Sequence, residues 1–341
     1  MKDVMIRIGI AFTISCCLIF SRGFAQNVTS VNRVGTTAAP FLKIGAGARP
    51  IGMGGAYVAL ANDVTAVYWN PAGLTHVPGS GEAIFNHAAW LAETDYNFAA
   101  ASINVSGFGS VGLQVISLST PEEEVRTYLQ PEGTGQKWSG NFIAAGISYA
   151  RQLTDRFSIG FTGKFVQEKI FNARAQGAAF DLGILYRTPV NSLTIGASIT
   201  NFGTKMQLDG RDLFFNEDPP ITPPGGVSEV PAKYRTEKFD LPLNLRFGIA
   251  WEALRTKDYT ILIVMDGTQP NDNTEYVNSG IEVGILNAIF LRAGYKSWMK
   301  ENSEEGLTFG AGIKYDAVGT NLKFDFGWAD YGRLNNVKFV A

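Results

Sequence analysis

Cysteine is almost missing from this 341-residue chain: the only two are Cys16 and Cys17, both inside an N-terminal segment that reads as a leader. Without that segment there is no disulfide, no thiolate nucleophile and no cysteine metal ligand. Histidine is as scarce, at His76 and His87, and neither has a carboxylate or cysteine at ligand spacing, so no metal site is expected. Charged residues make up only 18% of the chain and the two signs nearly cancel, which excludes the basic footprint of a nucleic-acid partner. Long apolar runs are lacking too. The nearest, the uncharged stretch from Tyr96 to Pro121, is interrupted by Asn104, Gly107, Gly109, Gly112 and several serines. It reads better as two strands joined by Ser106-Gly107-Phe108-Gly109 than as a membrane helix. Neither a Gly-x-Ser-x-Gly elbow nor a Gly-Lys-Ser/Thr phosphate loop occurs. No catalytic residues and no cofactor are therefore expected.

What is present begins with an export signal. Lys2 and Arg7 give a basic start, residues 8–20 form an uncharged apolar core too short to span a bilayer, and Gly23-Phe24-Ala25 offers small residues for cleavage. The mature chain is expected to start at Gln26. This leader holds three of the 29 basic residues and one of the 31 acidic ones, so the exported chain is weakly acidic.

From residue 82 onward apolar and polar residues alternate. Leu241, Leu243, Leu245, Phe247, Ile249 and Trp251 interleave with Pro242, Asn244, Arg246, Gly248, Ala250 and Glu252. A period of two sends the bulky set to one face of a strand and the charged and glycine set to the other. The same pattern predicts strands near 82–91, 95–106, 108–118, 138–151, 156–168, 176–188, 192–201, 239–253, 257–267, 274–286, 288–297, 306–316, 319–330 and 335–341. Connections after even-numbered strands are short. The longer ones, 119–137, 169–175, 202–238, 268–273 and 298–305, all follow odd-numbered strands. Bacterial membrane barrels sort their loops this way, with short periplasmic turns, longer external loops and an even strand number. A soluble sandwich has no reason to. The expected fold is an all-β transmembrane antiparallel β-barrel of about fourteen strands in the outer membrane, with its N-terminus periplasmic and lipid around it.

The polar face then lines the lumen, bringing in Lys164, Glu168, Asp181, Arg187, Arg246, Glu252, Asp266, Glu282, Arg292, Lys296, Lys314, Asp316, Lys323 and Asp325. Both signs are present, which predicts pairing across the interior more than a selective pore. Fourteen strands enclose more room than these side chains fill, and residues 26–81 are the free piece of chain to plug it. That segment contains FLKIGAGARPIGMGGAYVALANDVTAVYWNPAGL, residues 41–74. The spacing predicts one helix over 56–61 and a second, capped by Asp63, through Trp69. Asn70-Pro71 ends it, while Gly52, Gly54 and Gly55 permit close backbone approach. The expected domains are a signal peptide, 1–25, a hatch, 26–81, and a barrel, 82–341.

This hatch wording resembles that of FadL-type outer-membrane proteins, and the stretch GAGARPIGMGGAYVA, residues 45–59, resembles their PorV/PorQ branch. The resemblance implies a fourteen-stranded barrel with an N-terminal helical hatch and a part in type IX secretion. There the protein accepts cargo bearing a C-terminal β-domain at the translocon and shuttles it to the surface attachment machinery. The alternative the resemblance carries is a FadL-like channel for a hydrophobic small molecule. Two features depart from the pattern: modest external loops, and a short last strand in which the final aromatic, Phe339, comes two residues early. For protein partners the candidate docking loop is 202–238, where Leu213, Phe214 and Phe215 precede a proline-rich run. Adjacent aromatics in a stiffened polar loop can anchor a partner, or fold back over the barrel mouth.

Overall fold

The computed structural model describes residues 33–190, 192–217, 229–300 and 303–341. The expected signal peptide and the proline-rich run 218–226 lie outside the described residues. Fourteen antiparallel strands form one closed wall: β1 Gly81–Ala89, β2 Asp95–Val105, β3 Gly109–Ser119, β4 Gly140–Thr154, β5 Phe157–Ile170, β6 Ala173–Arg187, β7 Leu193–Gly203, β8 Asn244–Arg255, β9 Tyr259–Pro270, β10 Tyr276–Ile285, β11 Ile289–Trp298, β12 Leu307–Ala317, β13 Thr320–Asp330 and β14 Asn336–Val340. Each pairs with its neighbours in sequence, and β14 returns to β1. Every strand expected from alternation is present. All but β1 and β14 reach ten or more residues, about what a tilted membrane-crossing strand needs.

Alternation sets the two faces. On β8, Leu245, Phe247, Ile249 and Trp251 are exposed, while Asn244, Arg246 and Ala250 are buried. Apolar side chains point out to lipid and polar ones point in, the inverse of a soluble protein. The closing seam is narrow. β1 meets β14 through His87–Val340 and Ala88–Phe339, reinforced by Asn86 Nδ2 donating to the Val340 carbonyl at 2.9 Å. Trp90 packs edge-on against Tyr331 and Phe339 across the same junction. The short last strand does close the barrel.

The lumen is filled by residues 33–80. They form a 3-10 turn at Pro40–Lys43, two short helices, α1 Ala48–Gly52 and α2 Ala66–Trp69, and a 3-10 turn at Pro71–His76. One sequence expectation fails here: 56–61 is not helical, and the first helix lies earlier, at α1. Pro50 in the first turn of α1 has a fixed φ and needs no donor. Gly54 and Gly55, at φ +69° and +72°, then turn the chain out of the helix. The second helix starts at Ala66 with Thr65, not the expected Asp63, as its N-cap, because Asp63 Oδ1 is taken by the Thr65 N–H in the turn before it. It ends at Asn70 as expected, with Asn70 extended and its Oδ1 accepting from Ala72 N to start the next turn.

Candidate functional site

The plug and its seat in the wall hold most of the buried polar chemistry described. Its centre is Arg49 on α1. Its guanidinium grips Glu282 of β10 in a fork, Nε to Oε2 at 2.9 Å and Nη2 to Oε1 at 2.8 Å. Nη1 reaches back to Tyr57, Asn62 and Asp63 at 2.8–3.0 Å. Glu282 also takes Arg292 Nε at 2.6 Å, and Arg292 passes on to Asp325 of β13 at 2.6 Å. A chain of alternating charges thus runs from the plug into β10, β11 and β13. Such a cluster costs desolvation, and holds because each carboxylate meets a cation and further donors. Burial alone would raise the Asp63 carboxyl; the Arg49 guanidinium and the Thr65 and Tyr57 hydroxyls outweigh it and hold it below the ordinary aspartate value.

Further anchors are spaced round the wall. Asp266 of β9 accepts from the backbone N–H of Tyr57 at 2.6 Å and Val58 at 2.8 Å. Asn70 Nδ2 donates to the carbonyls of Val58, at 2.8 Å, and Ile184 of β6, at 3.0 Å. Gln114 of β3 donates to the Val67 carbonyl, Ser198 of β7 to that of Trp69, and the Gly54 N–H reaches Thr308 Oγ1 of β12. These bonds satisfy plug backbone that lies outside regular ladders.

Glycine on the inner face makes this approach possible. A Cβ on Gly280 would lie 2.5 Å from the Met53 carbonyl oxygen, and one on Gly196 would lie 2.5 Å from that of Val58. On the plug side, a Cβ on Gly52 would meet Gly310 Cα at 2.9 Å. Two backbones pass with no side chain between them.

The expected hatch residues are all buried in this seat but not in one place. Gly52 and Gly54 face β10, β11 and β12, and Gly55 lies against Trp69 and Asn278. Asp63 sits in the Arg49 cluster, and Asn70 with Pro71 lies against β5 and β6. The inferred charged lumen is real for Lys164, Asp181, Arg246, Asp266, Glu282 and Arg292, which are buried. Arg187, Asp316 and Lys323 sit exposed toward the rims. Sequence reasoning missed Arg49, which carries the largest number of plug bonds. Its place inside a glycine-rich run, with no other charge between Lys43 and Asp63, was the available signal.

The cavity between Leu42, Tyr68, Ile116, Lys164, Thr200, Asn201 and Arg246 holds about 10 Å³, room for about one water. His76 is part-buried in the plug. His87 instead faces outward on β1, with Nδ1 2.9 Å from Asn97 Oδ1. Leu213, Phe214 and Phe215 belong to a separate ribbon, Phe214–Glu217 paired with Val230–Lys233, on the long-loop side. Phe214 is 59% exposed with Lys233 Nζ 4.8 Å from its ring centre, while Phe215 stacks on Tyr234 at 4.5 Å.

Comparison with known proteins agrees with this architecture. The Pseudomonas putida toluene transporter TodX is similar in fold, with TM-score 0.54 and 13% identity over 87% of this chain and 96% of TodX. The Ralstonia pickettii toluene transporter TbuX gives 0.53 and 14%, over 87% and 96%. A Pseudomonas aeruginosa FadL homologue gives 0.50 and 10%, over 86% and 94%. At these identities the likeness is one of fold. No curated protein matches the sequence. The family model described as type IX secretion system protein PorV matches residues 27–211, more than half of the chain, and takes in the whole described plug and β1 to β7. By that match, on a FadL-type fourteen-stranded barrel, this chain belongs to the PorV family of the type IX secretion system.

Proposed function

We propose that this protein is a docking barrel of the type IX secretion system, which binds secreted cargo carrying a C-terminal β-domain and moves it between translocon and attachment machinery. The observation that carries this reading is the plugged lumen: residues 33–80 are tied to six strands, and the space between Leu42, Tyr68, Ile116 and Arg246 holds about 10 Å³, so binding is assigned to the rims and the outer wall. The N-terminus is periplasmic in this reading and the long-loop rim, with the Phe214 ribbon, faces outside. An isolated two-stranded ribbon is marginal alone, and its exposed Phe214 suits it to fold against a partner. Nothing in the barrel is assigned a catalytic role.

The likeness to toluene transporters favours a second reading, a channel for hydrophobic molecules. An apolar cavity of about 150 Å³ is what accepts a benzene ring, whereas the lumen space between Leu42, Tyr68, Ile116 and Arg246 holds about 10 Å³ and is lined in part by charge. The test is capture of the tagged protein from its native outer membrane in mild detergent, with and without Phe214→Ala and Phe215→Ala. Exported proteins sharing a C-terminal domain, or a very large barrel translocon, are expected with the parent and reduced with the variant. A lone barrel retaining lipid-like molecules would move the assignment to the channel.

A further inference from the structure

Outside the plug, a concave polar site on the lipid-facing wall is unexplained by cargo docking. At the long-loop ends of β5 and β6, Lys169 and Arg174 stand directly opposite each other in register and both point outward. Like charges opposite each other on neighbouring strands repel. Neither has an ion-pair partner among the described residues. Asp209 stands opposite Arg174 in register on its other side, with its carboxylate held by Lys233 at 2.7 Å, and Asp212 accepts from Asn172 at 2.9 Å. Beside Arg174 lies a groove of about 330 Å³, lined with Gln176, Gln207, Asp209 and Gly210.

Below this cationic pair the wall changes in order. One row toward the bilayer centre, Gln176 Nε2 donates to Gln167 Oε1 at 2.7 Å. Further down, Phe180 and Phe202 lie opposite each other on β6 and β7, 62% and 65% exposed. A bulge puts them there: the register slips between Phe180 and Leu182, and Asn201 takes φ +63° with its N–H on Asp181 Oδ1. Aromatic, amide, cation is the order in which acyl chain, sugar and phosphate follow one another in a lipid.

We propose that this groove binds the phosphorylated sugar headgroup of an outer-leaflet glycolipid. Lys169 and Arg174 hold the phosphate, the amides and Asp209 take sugar hydroxyls, and the acyl chains lie along Phe180 and Phe202. Charge complementarity carries the assignment, because Lys169, Arg174 and Lys233 outnumber the one carboxylate set among them, Asp209, and an anionic headgroup balances that excess while an uncharged one does not. The inference stands apart from cargo docking, and either can fail alone.

The test is titration of the purified full-length protein in neutral detergent with lipid A bearing its phosphates, read by native mass spectrometry. Dephosphorylated lipid A and inorganic phosphate are the comparison probes. Saturable binding is expected, about tenfold weaker for dephosphorylated lipid A and for Lys169→Gln with Arg174→Gln. Both side chains are exposed, so the variant should keep its resistance to unfolding in SDS. Should it not assemble, the comparison of the two lipids on the parent protein decides. Equal binding of both lipids overturns the proposal, as does a variant that binds like the parent. Inorganic phosphate displacing the lipid at equal concentration would also overturn it, making the site one for free anions.

Discussion

Replacing Arg49 with methionine isolates the lock between plug and wall. Methionine keeps an unbranched apolar stem and removes every guanidinium bond. Glu282 is then left with Arg292 alone, and Asp63 with hydroxyl and backbone donors. Their side chains are 3% and 10% exposed, so water cannot replace the lost cation. Removing one partner of a buried ion pair costs about 3–5 kcal/mol. The strand ladders do not pass through Arg49, so the loss should fall on opening of the plug and not on the barrel. Amide hydrogen exchange over α1 and α2 should accelerate roughly 150- to 4000-fold, the equivalent of that free energy, while exchange in β3 to β6 stays as it was. Adding Glu282→Gln and Asp63→Asn to the variant should recover more than half of the loss, since no uncompensated buried carboxylate then remains. Unchanged plug exchange, or acceleration spread equally over wall and plug, would refute the idea that this cluster holds the plug.

A Cβ at Gly294 would fall onto the backbone N–H of Gly54, whereas one at Gly163, facing outward on β5, meets only Phe180 at 3.9 Å. Gly294→Val should therefore leave the barrel resistant to SDS and its plug open to protease, a loss beyond the ~1–3 kcal/mol of ordinary overpacking; equal behaviour of Gly163→Val would count against the steric account. Burial and the Arg187 charge hold His76 down at about 4. The folded protein thus refuses a proton that the unfolded chain takes up near 6.5, so the His76 contribution is full above 6.5 and is lost as pH falls from there to about 4. The plug opening constant, exchange divided by the intrinsic amide rate at each pH, should rise from pH 7 to 5 in the parent and rise less in His76→Gln; an identical slope would remove His76 from the explanation. Asp63, held low, adds a further loss only under more acid conditions, below its unfolded value near 3.9.

The barrel was legible because its physics is local. Alternation fixes which side chains meet lipid, so all fourteen strands could be placed from residues such as Phe157, Ile159 and Phe161 against Ser158, Gly160 and Thr162. Turn length follows strand parity except after β5, where the longer connection expected over 169–175 is the two-residue turn 171–172, because both strands run on through it in register. The seat of the plug was not legible, because it depends on which strand stands beside which segment of 33–80. Gly160, Gly196, Gly248 and Gly327 could be put on the polar face by phase alone. That Gly160 receives Pro71, Gly196 receives Val58 and Gly327 receives Ala48 is long-range information. The helix expected over 56–61 failed for a related reason. Residues 57–61 do close a single turn, Leu60 and Ala61 N–H both on the Tyr57 carbonyl, with Asp266 taking the free N–H groups of Tyr57 and Val58. A segment this short does not propagate into a helix, and its Val58 carbonyl bonds to Asn70. The Phe214–Phe215 pair was visible as a feature, though not that the two rings lie on opposite faces of a ribbon.

The same long-range bonds bear on how the lumen could ever conduct. The plug is short, and its anchors lie on β3, β6, β7, β9, β10 and β12, so an opening wide enough for a solute must break several together. At about 1 kcal/mol for each neutral bond, more for each bond to a carboxylate, and the buried ion pair besides, that is on the order of 10 kcal/mol. An open state that costly is populated in about one molecule in 10⁷. A ligand raises that population only by binding the open form better than the closed one. A small apolar solute has no group with which to replace the Glu282 or Asp266 contacts, whereas a protein partner can replace such contacts with its own. Opening by a small apolar solute alone is therefore the costly route, and under the docking role proposed above the replacement contacts would come from a protein at the rim.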